Sequence, residues 1–231
     1  MCMLKETYTY SPLERVNVNG SRHYQTPGGQ PLPSVTTVLS ALKDKTQLHE
    51  WRKRVGDEEA DRIMRLATGI GTQVHLHLEK FILEENRPDG TNLIHQMAKE
   101  LSDIVIREGL SSVDEVWGTE VPLYYPGLYA GTTDCVGVYK GKPAIIDFKT
   151  TRKPKKREWI DDYFLQGAAY AAAHNELYGT DIKTIVIMMI GWDAEADNLG
   201  NYQEFVVEGD EFDKYALEWA GKVQEYFDKY M

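Results

Sequence analysis

Residues 131–170 read GTTDCVGVYKGKPAIIDFKTTRKPKKREWIDDYFLQGAAY, and this stretch decides the fold. TTDCVGVY and PAIIDFKT are extended, β-branched runs on either side of Lys140-Gly141-Lys142, which predicts an antiparallel hairpin. A helix is expected from about Ile160 to Tyr178. Its Leu165, Ala168, Ala169, Ala172 and Ala173 are mostly small enough to lie close against a sheet. IKTIVIMMIGW, residues 182–192, is the most hydrophobic segment and reads as a central strand.

The rest of the chain frames these elements. ERVNVNGSRHYQ, residues 14–25, alternates around Asn19-Gly20 and predicts a second hairpin. TPGGQPLP reads as a turn-rich loop, and Ser34 then either caps a short helix, VTTVLSAL, or joins Thr36 in meeting a phosphate at its N-terminus. Asp44 to about Ala67 predicts one or two helices, with a break at Gly56-Asp57 and Trp51, Val55, Ile63 and Leu66 packing inward. Gly69-Ile70-Gly71-Thr72 reads as a further punctuation point before a helix from 72 to 85, striped by Val74, Leu78, Phe81 and Ile82. Asn92 is placed to cap a helix reaching about Glu108. SSVDEVWGTEVPLYY predicts one strand, or two with a bend at Gly118. DAEADNLGN is expected as an exposed loop, YQEFVV as a strand, and Asp210 as the cap of a last helix that buries Phe212, Tyr215, Trp219, Val223 and Tyr226. The outcome is a mixed α/β domain spanning 1–231, with an N-terminal hairpin (14–25) and a helical region (34–108).

Composition bounds the function. The net charge of −10 argues against a non-specific nucleic-acid coat protein but allows an enzyme with a local positive groove. Two cysteines give neither a zinc spacing nor a disulfide framework: Cys2 is expected as an exposed terminal thiol, Cys135 on the apolar face of its strand. The opening residues lack a signal-peptide core, and no window is long enough for a membrane span, which predicts an intracellular protein with no membrane partner.

Asp147 and Lys149 lie two apart on a strand and therefore share a face amid isoleucines and Phe148. Charge there is expensive unless a divalent ion is bound. Asp134, on the preceding strand, can reach the same end. Oxygen ligands around an open position suit Mg²⁺ or Mn²⁺, which would activate a water and stabilise a phosphate, with Lys149 orienting that water or neutralising charge. The bland alternative is a strand end with Lys149 paired to an acid. Gln166 and Tyr170 present a polar pair at i,i+4 on the next helix. The intervening RKPKKR places Arg152, Lys153, Lys155, Lys156 and Arg157 beside the carboxylates, as a phosphate-holding loop or merely a solvated one. Gly71, His75 and Glu79 share one helix face, so His75 and Glu79 either complete a metal shell or His75 is a satisfied buried histidine. His77 lies on a neighbouring face and is a weaker candidate; Glu120, on the strand before the hairpin, is a third possible acid that read by itself is a surface glutamate.

GTTD at 131–134, DFKT at 147–150 and QGAAY at 166–170 resemble the PD-(D/E)xK nuclease superfamily, and more narrowly its RecB-like exonuclease branch. GIGTQVHLHLEKFI at 69–82 is similar to the upstream helix motif of that branch. PSVTTVL at 33–39 is similar to the opening of the mitochondrial genome-maintenance exonucleases and related phage exonucleases. The match spans roughly residues 23–175. The resemblance implies a restriction-endonuclease-like fold, a mixed central sheet flanked by helices with a helix-rich N-terminal half. It implies Asp134, Asp147 and His75 as metal ligands, Glu79 as a further ligand through water, Lys149 in catalysis, Gln166 and Tyr170 as DNA contacts or support, and Ser34 and Thr36 near a DNA phosphate. The implied activity is a stand-alone, phage-like DNA exonuclease of recombination or repair, acting on single-stranded or frayed ends in the cytoplasm of a host cell. A structure-specific or nicking endonuclease, and a catalytically silent nucleic-acid-binding protein, are the competing readings. The chain has no four-cysteine set, so it does not resemble the iron–sulfur relatives. It also has no nucleotide-binding motor motif, so any helicase, recombinase or single-strand-binding partner is a separate protein. Lys53, Arg54, Arg62 and Arg65 either line a DNA groove or are ordinary helix-surface charges.

Overall fold

The computed structural model describes residues 3–5 and 7–230, with the side chain of Met3 excepted; Cys2 lies outside them. The chain builds a six-stranded sheet in the order β1-β5-β6-β7-β8-β9 and a three-stranded sheet in the order β2-β3-β4. The large sheet uses β1 (Met3–Leu4), β5 (Val113–Tyr125), β6 (Tyr129–Tyr139), β7 (Lys142–Thr151), β8 (Thr184–Gly191) and β9 (Tyr202–Glu208). It is mixed: β5–β6, β6–β7 and β8–β9 are antiparallel, whereas β1–β5 and β7–β8 are parallel. β8 is buried along its whole length, as its uninterrupted apolar sequence requires.

Helices cover both faces. On one lie α1 (Val35–Leu42), α5 (Asp161–Tyr178) and α6 (Asp210–Tyr230), burying Phe164, Leu165, Trp219 and their neighbours against Ile145, Ile185 and Ile187. On the other lie α3 (Asp57–Ile82) and α4 (Leu93–Glu108), burying Val74, Leu78, Leu101 and Val105 against Cys135, Ile146 and Phe148. This is the restriction-endonuclease-like arrangement of a mixed sheet between helical layers. The small residues of α5 matter here: a Cβ at Gly167 would lie 2.4 Å from Ile185. Among the described residues, no helix is long and apolar enough to cross a membrane.

The second hairpin forms as β2 (Glu14–Val18) and β3 (Ser21–Gln25), turning through Asn19 and Gly20 at φ 51° and 82°. Ser34 caps α1, its Oγ accepting from the Thr37 amide at 3.0 Å, and Asn92 caps α4 by accepting from His95.

Several expectations need correction. Part of TPGGQPLP is a strand, β4 (Pro31–Pro33), paired to β3. α2 (Thr46–Val55) buries nothing fully, so Trp51 and Val55 are only half-buried. The break at Gly69–Gly71 does not occur: α3 runs through it, and Gly71 serves helix–sheet proximity rather than a turn. A Cβ at Gly71 would lie 3.2 Å from Thr150 Oγ1 on β7. The loop after β8 is not wholly exposed, since Asp193 and Asn198 are buried and Asn198 donates to the Thr151 carbonyl. Asp210 lies inside the first turn of α6, behind Gly209 at φ 60°.

Candidate metal and phosphodiester site

The site grows from the end of the β6–β7 ladder. Pairing runs from Tyr139↔Lys142 to Cys135↔Ile146 and then stops. The next positions are Asp134 and Asp147, one on each strand. There the Asp134 side chain replaces the ladder, its Oδ2 accepting from the Phe148 amide at 2.7 Å. β7 continues on its other side, paired to β8 as far as Thr151, so the strands part and leave a notch with acids at its apex.

Two helices close on the notch. α3 crosses β7 at Gly71 and brings His75 Nδ1 within 3.5 Å of Asp134 Oδ1, with the His75 ring edge-on to Phe148. α5 brings Tyr163, whose ring centre is 5.0 Å from Lys149 Nζ, and Tyr170, which fills the space a Cβ on Gly131 would take. β5 supplies Glu120. Its neighbours pair as Thr119↔Cys135 and Val121↔Thr133, so Glu120 stands opposite Asp134. Its φ of 49° turns the strand locally. One donor atom each from His75, Glu120 and Asp134 lies within 4.8 Å of the others. Beside them, Gly71, Thr72, His75, Leu76, Glu79 and Glu120 line an open depression of about 440 Å³.

His75 and Asp134 thus lie side by side. Glu79 lines the same depression but is not part of the 4.8 Å cluster. Asp147 lies deeper, 2% exposed, with the Lys149 ammonium ion-paired to its Oδ2. Glu120, a third possible acid in the sequence, is exposed as a surface glutamate would be, and its carboxylate also falls in the cluster with His75 and Asp134.

Electrostatics follow from packing acids together. Burial, then the Asp134 charge, push the Asp147 carboxyl up to about 6 despite Lys149. Glu120 is an exposed residue, but partial desolvation of its carboxyl and then the Asp134 charge push it up to about 7. Asp134 is half-buried, yet His75, Lys149 and the Phe148 amide hold it below the usual carboxylate range. Burial works against the charged forms of His75 and Lys149, but the neighbouring carboxylates outweigh it and raise both. Three carboxylates against one ammonium and one imidazole leave a deficit of positive charge.

The remaining candidates fall into three groups. Tyr170 is 3% exposed, with Gln166 half-buried beside it. Ser34 is buried and its hydroxyl is engaged by Thr36 and Thr37, whereas Thr36 is exposed. In the basic loop Arg152 is ion-paired to Asp193, and Arg157 binds Glu211 and the Val206 carbonyl. Lys153, Lys155 and Lys156 form no ion pair among the described residues. Arg62 is held by Glu59.

No family model matches the chain. Mitochondrial genome maintenance exonuclease 1 of Xenopus tropicalis is 31% identical over 176 residues, covering 68% of this chain and 48% of that protein. The chain is homologous to that exonuclease. The mouse and human proteins of the same name are 28% and 26% identical over 211 and 219 residues, each across 86% of this chain. The chain spans 48–60% of the length of these exonuclease 1 relatives. Homology to them, together with the acid–histidine cluster, agrees with the PD-(D/E)xK superfamily in general.

Proposed function

We propose that the chain is a Mg²⁺- or Mn²⁺-dependent DNA exonuclease that hydrolyses phosphodiester bonds at single-stranded or frayed ends and leaves a 5′-phosphate. The observation that carries this reading is the convergence of His75, Glu120 and Asp134 beside the buried Asp147–Lys149 pair, at the point where two strands part. The metal fits the residues present. The donor set is carboxylate-rich, and Asp147 and Glu120 are raised by burial and then by the Asp134 charge, both of which a dication would offset. His75, Glu120, Asp134 and Asp147 would hold the ion, with Glu79 reaching it through water.

When bound, the metal supplies polarisation of the phosphate and a water acidic enough to attack it. The protein's own groups do the rest. Lys149 is held charged by two carboxylates, so it acts as a fixed positive charge for the developing phosphorane and not as a base. Asp134, fastened by the Phe148 amide and the His75 ring, fixes the ligand set. Tyr170 is too buried to touch DNA, and we assign it and Gln166 to support; Tyr170 fills the volume over Gly131. Thr36 and the unpaired lysines Lys153, Lys155 and Lys156 are the candidates for phosphate contact, while Ser34, Arg152 and Arg157 serve mainly to hold α1 and the loop in place.

Linear and circular single-stranded DNA, each incubated with Mg²⁺, Mn²⁺ or chelator, test the proposal. Metal-dependent loss of the linear substrate alone is expected. Cleavage of the circle would replace the exonuclease with the endonuclease reading, and no cleavage of any DNA or RNA would leave a binding protein.

A further inference from the structure

Of the five tryptophans, Trp159 alone is exposed, at 61%, while Trp192 and Trp219 are buried and Trp51 and Trp117 half-buried. This indole lies on a solvent-facing turn, outside the hydrophobic clusters of the core. It is also rigidly mounted. The Trp159 amide donates to the Lys156 carbonyl, and both backbone groups of Lys155 are bonded to the Gln203 side chain, at 2.8 and 2.9 Å. Arg157 ties the same turn to Glu211 and Val206.

Its surroundings are cationic. Lys156 Nζ lies 5.2 Å from the Trp159 ring centre, and neither it nor Lys153 nor Lys155 is ion-paired among the described residues. In a chain of net charge −10, this is a local reversal of sign. A short stretch of chain joins the platform to the site. Tyr163, whose ring contacts Lys149, lies four residues beyond Trp159, so the two Cα atoms are no more than about 14 Å apart. An exposed flat ring flanked by unpaired ammonium groups complements one chemistry best: an unpaired nucleobase stacked on the indole, with its flanking phosphate on lysine.

We infer that Trp159 is a stacking platform for an unpaired base of a single-stranded nucleic acid leading into the acidic notch, with Lys156 moving from the ring to the adjoining phosphate. This rests on the nuclease reading of that notch and names the substrate class: a strand with free bases, DNA or RNA.

Binding of short oligodeoxythymidylate and oligouridylate is measured by anisotropy and by tryptophan emission, with chelator and again with Ca²⁺. Trp159→Ala weakens binding by on the order of tenfold, Trp159→Phe keeps most of it, and Leu217→Ala, exposed on α6, leaves it unchanged. Oligonucleotide quenches the wild-type emission, and that quenching is lost in Trp159→Phe. Lys156→Ala lowers the slope of log affinity against log salt by about 0.7. Wild-type affinity in Trp159→Ala, or no single-strand binding by the wild type, overturns the inference. The two readings separate cleanly. An inactive protein whose binding still falls in Trp159→Ala keeps the platform and loses the nuclease; an active one with unchanged binding does the reverse.

Discussion

The two ends of the β6–β7 hairpin are made by the same strands and obey opposite rules. Toward the turn, the ladder is complete from Cys135 to Tyr139, and Ile145 and Ile146 send their side chains to the two opposite cores, fully buried. One register step beyond Cys135↔Ile146, the partners become Asp134 and Asp147, the ladder stops, and a carboxylate takes over a backbone amide. The first end lowers free energy by removing apolar surface from water; the second collects like charges that burial makes worse. A chain keeps such an end when something outside the chain neutralises it.

That contrast is broken most sharply by Asp147→Asn. The side chain keeps its shape, so the unfolding midpoint should change little, while cleavage of linear DNA should fall by at least about a thousandfold. Ile146→Ala, one residue away, should do the opposite, lowering stability by ~2–5 kcal/mol in denaturant titrations with activity per folded molecule kept within a few-fold. Unchanged cleavage in Asp147→Asn would refute the site assignment.

Glu120 and Glu79 divide the acids of the depression. Glu120 is in the cluster with His75 and Asp134, and Glu79 only lines the wall. Glu120→Gln should therefore cost about a hundredfold in rate and shift the metal dependence to higher concentration, whereas Glu79→Gln should stay within a few-fold. A larger effect at Glu79 would move the ion toward α3.

The charged end also makes the metal-free protein pH-sensitive. Glu120 and Asp147 are raised in the fold to about 7 and about 6. A raised carboxyl stabilises below its unfolded value, and that stability is lost as pH rises through the folded value. His75, also raised, loses its contribution in the same direction. Asp134 is lowered and matters only in acid. With chelator, the melting temperature should fall between about pH 5 and pH 8, and Mg²⁺ or Mn²⁺ should restore more of it at pH 8 than at pH 6. A melting temperature that rises over that window would show that the acids are not in conflict.

Which parts of this contrast were legible in the sequence depends on how far apart the interacting residues lie. The hairpin and its Asp134, Asp147 and Lys149 were legible because strand alternation is local, as were the Ser34 and Asn92 caps. The basic loop was not: the partners that neutralise Arg152 and Arg157 are Asp193 and Glu211, 41 and 54 residues away. Glu120 was legible only as a third possible acid for a related reason, since its positive φ and its register opposite Asp134 are properties of the sheet, not of the strand read alone. The glycines of α3 were the clearest inversion. Local propensity treats Gly69 and Gly71 as a break, yet in the fold Gly71 allows α3 to approach β7.

Gly71 gives the smallest and most discriminating test. An alanine there suits the helix better by up to about 1 kcal/mol, so local propensity alone predicts a more stable protein. Its Cβ, however, would sit 3.2 Å from Thr150 Oγ1, one residue from Lys149, and α3 would have to give by a few tenths of an ångström. His75, one turn further along α3, would move with it relative to Asp134. The core contacts of Val74 and Leu78 tolerate such a shift with little loss, but a ligand set does not. Gly71→Ala should therefore melt within a few degrees of the wild type while losing about tenfold in cleavage. The metal concentration for half-maximal activity should rise in parallel. If activity is retained and only the melting temperature moves, the close approach of α3 to β7 is a packing feature, and His75 does not depend on it.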